Sequence, residues 1–91
     1  MRELIAYIMS LLLTLGPKLE EAWPHIKKLG EELDHILTII NGGKPIVHAS
    51  GASLGPDSQK VYDDLVKAGI NSTEARKFAM TIETAQDRTG T

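Results

Sequence analysis

Residues 5–40, IAYIMSLLLTLGPKLEEAWPHIKKLGEELDHILTII, decide the fold that this sequence predicts. If Ile5 is position a of a heptad, alternate steps of three and four residues reach an apolar side chain every time. The positions reached are Ile5, Ile8, Leu12, Leu15, Leu19, Ala22, Ile26, Leu29, Leu33, Ile36 and Ile40. A 3.5-residue period sustained over about five heptads is typical of helices that supercoil around partner helices. We therefore predict that these positions form the seam of an oligomer.

The partner predicted for this seam is another copy of the chain. An unbroken helix to Ile40 would be about 55–60 Å long at 1.5 Å per residue, and the rest of a 91-residue chain is expected to be too short to cover it. Position e carries no charge, since its residues are Met9, Gly16, Trp23, Gly30 and Leu37. The ion pairs that usually fix two-stranded coils are therefore missing. We expect three or more copies.

Two prolines interrupt the regular helix pattern. Pro17 and Pro24 both fall at position f, away from the seam, where each removes one backbone hydrogen bond and favours a kink. Because the heptad phase continues through both, we predict one long bent helix over residues 1–40. The alternative is that Gly16-Pro17 ends one helix and starts a second.

The apolar end of this helix, residues 4–15, has the sequence LIAYIMSLLLTL. Twelve helical residues span about 18 Å, whereas a bilayer core is about 30 Å thick, so no full transmembrane span is evident. No small-x-small cleavage pattern follows, so no cleavable signal peptide is evident either. Two interpretations stay open: burial inside a larger complex, or contact with a bilayer as part of an oligomer. The sequence does not indicate the cellular compartment of the protein.

Residues 41–57, NGGKPIVHASGASLGPD, are predicted to be a flexible linker because they are rich in glycine, proline and serine. Asn41-Gly42-Gly43 supplies a positive φ that ends the long helix. Residues 45–49 are expected to lie extended along a neighbouring subunit. Residues 87–91 are expected to form a polar tail.

Residues 58–86 are predicted to form a helical hairpin. Asp57 or Ser58 is expected to cap its first helix, and Gly69-Ile70 to end that helix in a Schellman turn. Asn71 and Glu74 have the spacing of a capping box for the second helix. The predicted hairpin core consists of Val61, Leu65, Ile70, Phe78 and Ile82.

The turn of this hairpin, LVKAGINSTEAR at residues 65–76, resembles the core of helix-turn-helix DNA readers and is similar to the ubiquitin-associated fold. The first resemblance implies DNA binding and the second implies protein binding. Residues 57–91 have a net charge of −1, and only Arg76 and Lys77 lie near the start of the second helix. Phosphate contacts need more basic side chains than that, so a purely structural hairpin is favoured over nucleic-acid binding.

Composition and residue spacing exclude several further kinds of functional site. The net charge of −2 argues against a general basic surface, and the absence of cysteine excludes disulfides and thiolate metal sites. His25, His35 and His48 lack metal-ligand spacing, and residues 51–55 lack the ending of a phosphate-binding loop. We expect no catalytic site, cofactor or metal.

The sequence thus predicts an all-α, non-enzymatic structural subunit. It would form a homo-oligomer and contact other subunits as a minor component of a large assembly, such as a virus particle or a membrane complex. Two alternatives stay open: a small membrane-active or pore-associated protein that uses residues 4–15, and a DNA- or protein-binding adaptor that uses the hairpin.

Overall fold

The computed structural model describes residues 2–44 and 54–88, and every regular element in those ranges is helical. The α-helices are α1 (Arg2–Leu15), α2 (Leu19–Ile40), α3 (Pro56–Lys67) and α4 (Ser72–Arg88). The all-α class and the C-terminal hairpin, formed by α3 and α4, are confirmed. The predicted extended segment 45–49, His48, and residues 89–91 of the predicted tail lie outside the described residues.

The bend of the N-terminal helix lies at Gly16, which has a φ of +48°. This left-handed conformation interrupts the α-helix, and a 3-10 turn over Gly16–Lys18 joins α1 to α2. Pro24, in contrast, stays inside α2. The longest dimension of the molecule is 37 Å, whereas an unbroken helix over residues 2–40 would measure about 58 Å. The bend therefore lets α1 contact α2, α3 and α4.

A single hydrophobic core joins all four helices. Its buried residues are Ile5, Ile8, Leu12, Leu19, Trp23, Ile26, Leu33, Leu37, Val61, Leu65, Ile70, Ala75, Phe78, Ala79, Ile82 and Ala85. All five predicted hairpin-core residues are among them. The expectation that the rest of the chain is too short to cover the apolar stripe is wrong, because α3 and α4 pack against it within one molecule.

The buried stripe changes its heptad position between α1 and α2. In α1 the buried residues Ile5, Ile8 and Leu12 follow positions a and d, and Leu15 is half-buried. In α2 the a positions Leu19, Ile26 and Leu33 are buried together with the e positions Trp23, Gly30 and Leu37. The d positions Ala22, Leu29 and Ile36 are half-buried, and Ile40 is 54 % exposed. The a positions thus stay buried from Ile5 to Leu33, and only the second row of the stripe differs, at d in α1 and at e in α2.

Glycine turns end two of the helices as predicted. Gly69 has a φ of +97°, its N–H donates to the carbonyl of Val66 at 3.1 Å, and the N–H of Ile70 donates to that of Leu65 at 3.0 Å. These are the two hydrogen bonds of a Schellman turn. The same pattern ends α2, where Gly42 and Gly43 have positive φ.

The start of α3 differs from the prediction. Gly55, not Asp57 or Ser58, is the N-cap residue, and Pro56 occupies the first helical position. Ser58 is fully buried and its hydroxyl donates to Glu83 Oε2 at 2.6 Å. The same oxygen accepts from the N–H of Gly55 at 3.1 Å. The Glu83 carboxylate of α4 therefore accepts the hydrogen bonds at the start of α3, where a side chain of α3 itself was predicted to be the cap.

The start of α4 follows half of its predicted capping box. Asn71 Oδ1 accepts the N–H of Thr73 at 2.8 Å, so Asn71 is the cap. The side chain of Glu74 does not return to Asn71. Its two oxygens accept hydrogen bonds from α2 instead.

Candidate functional site

Three surface features of the described residues were candidates for a site: a groove between α2 and α4, a cleft between α1 and α3, and the outer face of α1. The groove is built on a close approach of the two helices. The Phe78 ring lies over Gly30, where a Cβ atom would come within 2.7 Å of ring carbons Cδ2 and Cε2. The Trp23 and Phe78 rings pack in an edge-to-face manner, with their centroids 5.6 Å apart and their planes at 65°. Two aromatic rings therefore fill the floor of the groove.

The rim of this groove carries a hydrogen-bonded ion pair. Glu74 Oε2 accepts from Trp23 Nε1 at 3.0 Å, and Oε1 accepts from Lys27 Nζ at 2.9 Å. The hydrogen bond from Lys27, followed by the one from Trp23, lowers the pKa of Glu74 below its ordinary value of 4.5. The same hydrogen bond and the carboxylate charge raise the pKa of Lys27 above 10.5. These side chains join α4 to α2.

The groove itself is small. Its volume is about 200 Å³, and its other lining residues include Glu31, Asp34, Lys77 and Thr81. Pockets for small-molecule ligands usually enclose about 300–1,000 Å³. The groove is therefore best explained as the seam between two packed helices.

The outer face of α1 begins with Glu3 and continues through the exposed positions Ala6, Tyr7, Ser10, Leu13 and Thr14. After Glu3, none of these side chains is charged at neutral pH. Tyr7 is 51 % exposed and Leu13 is 64 % exposed. The exposed positions of α2 differ sharply, because most of them carry charged side chains, among them Glu20, Glu21, Lys27, Lys28, Glu31 and Glu32. Among the described helices, α1 therefore carries the least charge on its solvent-facing side, and Glu3 in its first turn is the charge that its described exposed positions hold.

A cleft lies beside this face, between α1 and α3. Its volume is about 390 Å³, and its apolar lining is provided by Leu12, Leu13, Gly16, Pro17, Leu19 and Ala68. Lys60, Asp64 and Lys67 of α3 form its polar side. Leu13 belongs both to the outer face of α1 and to this cleft. The two features are therefore continuous.

Comparison of the chain with protein-family models, with curated proteins and with solved structures finds no match.

The predicted seam is not one exposed surface. Most of its positions lie in the core, and Ile40 is exposed at the end of α2.

His25 and His35 are exposed on α2, and the described part of the chain holds no group of three potential metal ligands. Within residues 2–44 and 54–88, no helix is long and apolar enough to cross a membrane. Arg76 and Lys77 are exposed on α4, but Lys77 lines the same groove as the acidic residues Glu31 and Asp34.

Two structural residues of the groove, Trp23 and Gly30, were missed by the sequence analysis, which placed them at position e outside the seam. The sequence does contain a signal that these residues are buried, since Trp23, Gly30 and Leu37 are spaced seven residues apart. A glycine inside a helix costs about 1 kcal/mol relative to alanine, so a packing reason should be sought for it.

Proposed function

We propose that this protein is a non-enzymatic structural subunit that self-associates through the outer face of α1. The observation that carries the proposal is the pair of exposed apolar side chains, Tyr7 and Leu13, on a helix face that has no charged side chain after Glu3. Complete burial of a large apolar side chain contributes about 1.5–3 kcal/mol, and covering the exposed half of each of these two contributes roughly half of that.

This proposal replaces the seam as the surface of assembly. The seam residues Ile8, Ile26 and Leu33 have no exposed surface in a single chain. Assembly through them would require the helices to separate, which would forfeit the core. The outer face of α1 is available without any such change.

Membership of a larger assembly, such as a virus particle or a membrane complex, is part of the same proposal. Its support is a second set of exposed apolar side chains. Ile39 and Ile40 at the end of α2 are 62 % and 54 % exposed, and Val66 on α3 is 41 % exposed. These residues offer further contacts to other subunits. The polar side chains of the α2–α4 groove join helices, which supports a structural rather than a catalytic role.

The proposal is tested with Leu13→Asp, which places a charge in the interface while leaving the core untouched. His35→Asp, at an exposed position of α2, is the matched control. Light scattering after gel filtration should show the wild type and His35→Asp as oligomers and Leu13→Asp as a monomer. Circular dichroism should show the same helix content in all three. An unchanged mass for Leu13→Asp would refute the proposal.

A second candidate, membrane association through α1, is favoured by the same exposed side chains, Tyr7 and Leu13. Its test is flotation with neutral lipid vesicles. Leu13→Asp is again the right variant, because Ile8 is fully buried and a charge there would unfold the protein. Flotation of the wild type that Leu13→Asp abolishes would favour the membrane. Oligomer formation without lipid or detergent, and no flotation, would favour self-association.

A further inference from the structure

We propose that Gly16-Pro17 is a hinge that holds α1 in the core of its own chain, and that without this hinge α1 exchanges between two copies. In the exchanged form α1 and α2 would be one straight helix, and the α1 of each copy would fill the core of the other. Exchange is independent of self-association through the outer face of α1, because it uses the buried side of the helix. Three features support it: the backbone at Gly16, the ring of Pro17, and the buried row of a positions.

The bend between α1 and α2 depends on the backbone conformation of Gly16. Leu15 before it has right-handed helical angles, with φ −71° and ψ −34°, and so has Leu19 after it, with φ −58° and ψ −39°. Gly16 between them has a φ of +48°. Rotation at Gly16 is therefore the main change that separates the bent chain from a straight helix.

The need for glycine at position 16 comes from this conformation and not from packing. Apart from the chain neighbours, a Cβ atom built on Gly16 would have no atom within 4 Å, so the side chain of alanine would fit there. Alanine would instead oppose the left-handed φ, which disfavours the bent backbone about tenfold or more. A substitution at this position therefore changes the bend without disturbing the core.

Pro17 opposes the straight helix. In a continuous helix its ring would clash with the carbonyl group of Leu13, and its nitrogen has no hydrogen to donate to that group. In the bent chain Pro17 stands at the start of the 3-10 turn, where a missing N–H costs little. Because Pro24 is accommodated inside α2, a proline alone does not break this helix. Gly16 and Pro17 therefore act together.

The buried row of a positions continues on both sides of the hinge. Its members Ile5, Leu12, Leu19, Ile26 and Leu33 are all buried. Residues seven apart form a slowly turning stripe on a straight helix, so straightening keeps this row continuous. A straight helix over residues 2–40 would be about 58 Å long, whereas the longest dimension of the molecule is 37 Å. Straightening would therefore carry α1 out of its own core.

A second copy is the partner that fits the place vacated by α1. Departure of α1 would expose its buried residues Ile5, Ile8 and Leu12, together with the surfaces of α2, α3 and α4 that it contacts. The α1 of a second copy has the same side chains, so it re-forms these contacts without any new complementarity. Exchange of an identical element is a low-cost route to a dimer. The core that separation alone would forfeit is thus restored in the exchanged dimer.

The experiment compares the double variant Gly16→Ala/Pro17→Ala with Gly42→Ala. Every chain also carries Leu13→Asp, so that association through the outer face of α1 does not contribute. Gly42 is the matched control, because it too has a positive φ, +74°, and open space for a Cβ atom, but it lies after α2. The hinge substitutions should favour the straight helix about a thousandfold per chain.

Sedimentation equilibrium up to about 1 mM should show the double variant as a dimer and both Gly42→Ala and the parent as monomers. An exchanged dimer separates only when α1 leaves the core, so dilution should dissociate it as slowly as the protein unfolds. A folded double variant that stays monomeric, or a dimer that separates immediately on dilution, would overturn the proposal. If the double variant does not fold, Pro17→Ala alone decides in the same way.

Cross-linking identifies which chain supplies α1. The chain has no cysteine, and Leu13 of α1 and Asp64 of α3 line the same cleft. With Leu13→Cys and Asp64→Cys, a short bis-maleimide should join the two positions within one chain when the hinge is intact. With the hinge substitutions added, it should join two chains and give a band of twice the mass on a denaturing gel.

The control for cross-linking is Leu13→Cys alone with the hinge substitutions, which should give no such band. A band from this control would report contact between outer faces instead of exchange and would overturn the assignment. Linkage within one chain in both hinge backgrounds would show that α1 never leaves its own core, which would overturn the proposal while leaving self-association through the outer face standing.

Discussion

Gly30 is the point at which α2 and α4 come closest. In Gly30→Ala the new Cβ atom would overlap the Phe78 ring, and overpacking of this kind costs about 1–3 kcal/mol. The higher helix propensity of alanine returns up to about 1 kcal/mol. We expect a net loss of about 1 kcal/mol in the free energy of unfolding, measured by urea titration.

The control for this prediction is a smaller side chain at position 78. Phe78→Leu alone destabilises the protein, but the loss caused by Gly30→Ala should be smaller in that background because the clash is relieved. If Gly30→Ala stabilises the wild type, helix propensity outweighs the contact and the close approach is not a constraint.

Glu74 should make stability depend on acid pH. Its pKa lies below 4.5 in the folded protein, so its contribution is complete above that pH and is lost as the pH falls through the lowered pKa. The pKa of Lys27 lies above 10.5, so its contribution is complete below that pH and is lost as the pH rises further. The ion pair is therefore intact across the neutral range.

The variant that tests this is Glu74→Gln, which keeps an acceptor for Trp23 and removes the charge. Trp23 is the one tryptophan of the chain and reports unfolding by fluorescence. The difference in urea midpoint between wild type and variant should be present at pH 7 and should shrink as the pH falls below 4.5 through the lowered pKa of Glu74. Glu32→Gln, on the exposed side of α2, should show no such convergence. A constant difference for Glu74→Gln would contradict the assigned pKa.

Local signals predicted the helix ends well. Gly69 and Gly42 require a positive φ that the sequence already indicates, and Asn71 caps the helix that follows it. The end of α1 was left open between a kink and a break, because Gly16-Pro17 is compatible with both. The start of α3 was not predictable locally, since its cap comes from Glu83, 28 residues away from Gly55.

The heptad pattern predicted a buried stripe but not its partner. A 3.5-residue period reports that a helix face is covered and does not distinguish a second chain from the same chain. Because Ala22 and Leu29 are apolar, hydropathy alone predicts them as core positions. Trp23 and Gly30 are buried instead because the Phe78 ring fits against Gly30. Hydropathy does not predict this fit, which depends on the shapes of the side chains.

Phe78 couples the hairpin to α2. It is 6 % exposed, and truncation of a buried phenylalanine costs about 3–5 kcal/mol. Because its ring contacts Trp23 and Gly30, Phe78→Ala should lower amide exchange protection in α2 as well as in α3 and α4. Loss confined to α3 and α4 would show that the hairpin is an independent unit.

The hairpin is not expected to bind DNA. Lys77 shares a groove with Glu31 and Asp34, which leaves little positive potential at the start of α4. We predict no salt-dependent binding of duplex DNA at low ionic strength, measured by fluorescence anisotropy. Tight binding that Arg76→Ala abolishes and Glu32→Gln does not would establish the adaptor alternative for this part of the chain.

At the scale of the whole molecule, a single core uses residues of all four helices, so the surface that remains for partners is defined by what the core leaves out. The exposed positions of α2 are mostly charged, whereas those of α1 are mostly uncharged. Leu33→Asp would therefore unfold the chain, whereas Leu13→Asp should only separate the copies. The two substitutions differ because Leu33 is buried in the core and Leu13 is exposed.

Sedimentation equilibrium of the wild-type protein without detergent, over concentrations from about 1 μM to about 1 mM, tests the central claim most directly. We expect a mass that rises above 9.9 kDa as the concentration increases, with Leu13→Asp remaining at 9.9 kDa throughout. A folded wild-type protein that stays at the monomer mass across the whole range would contradict it.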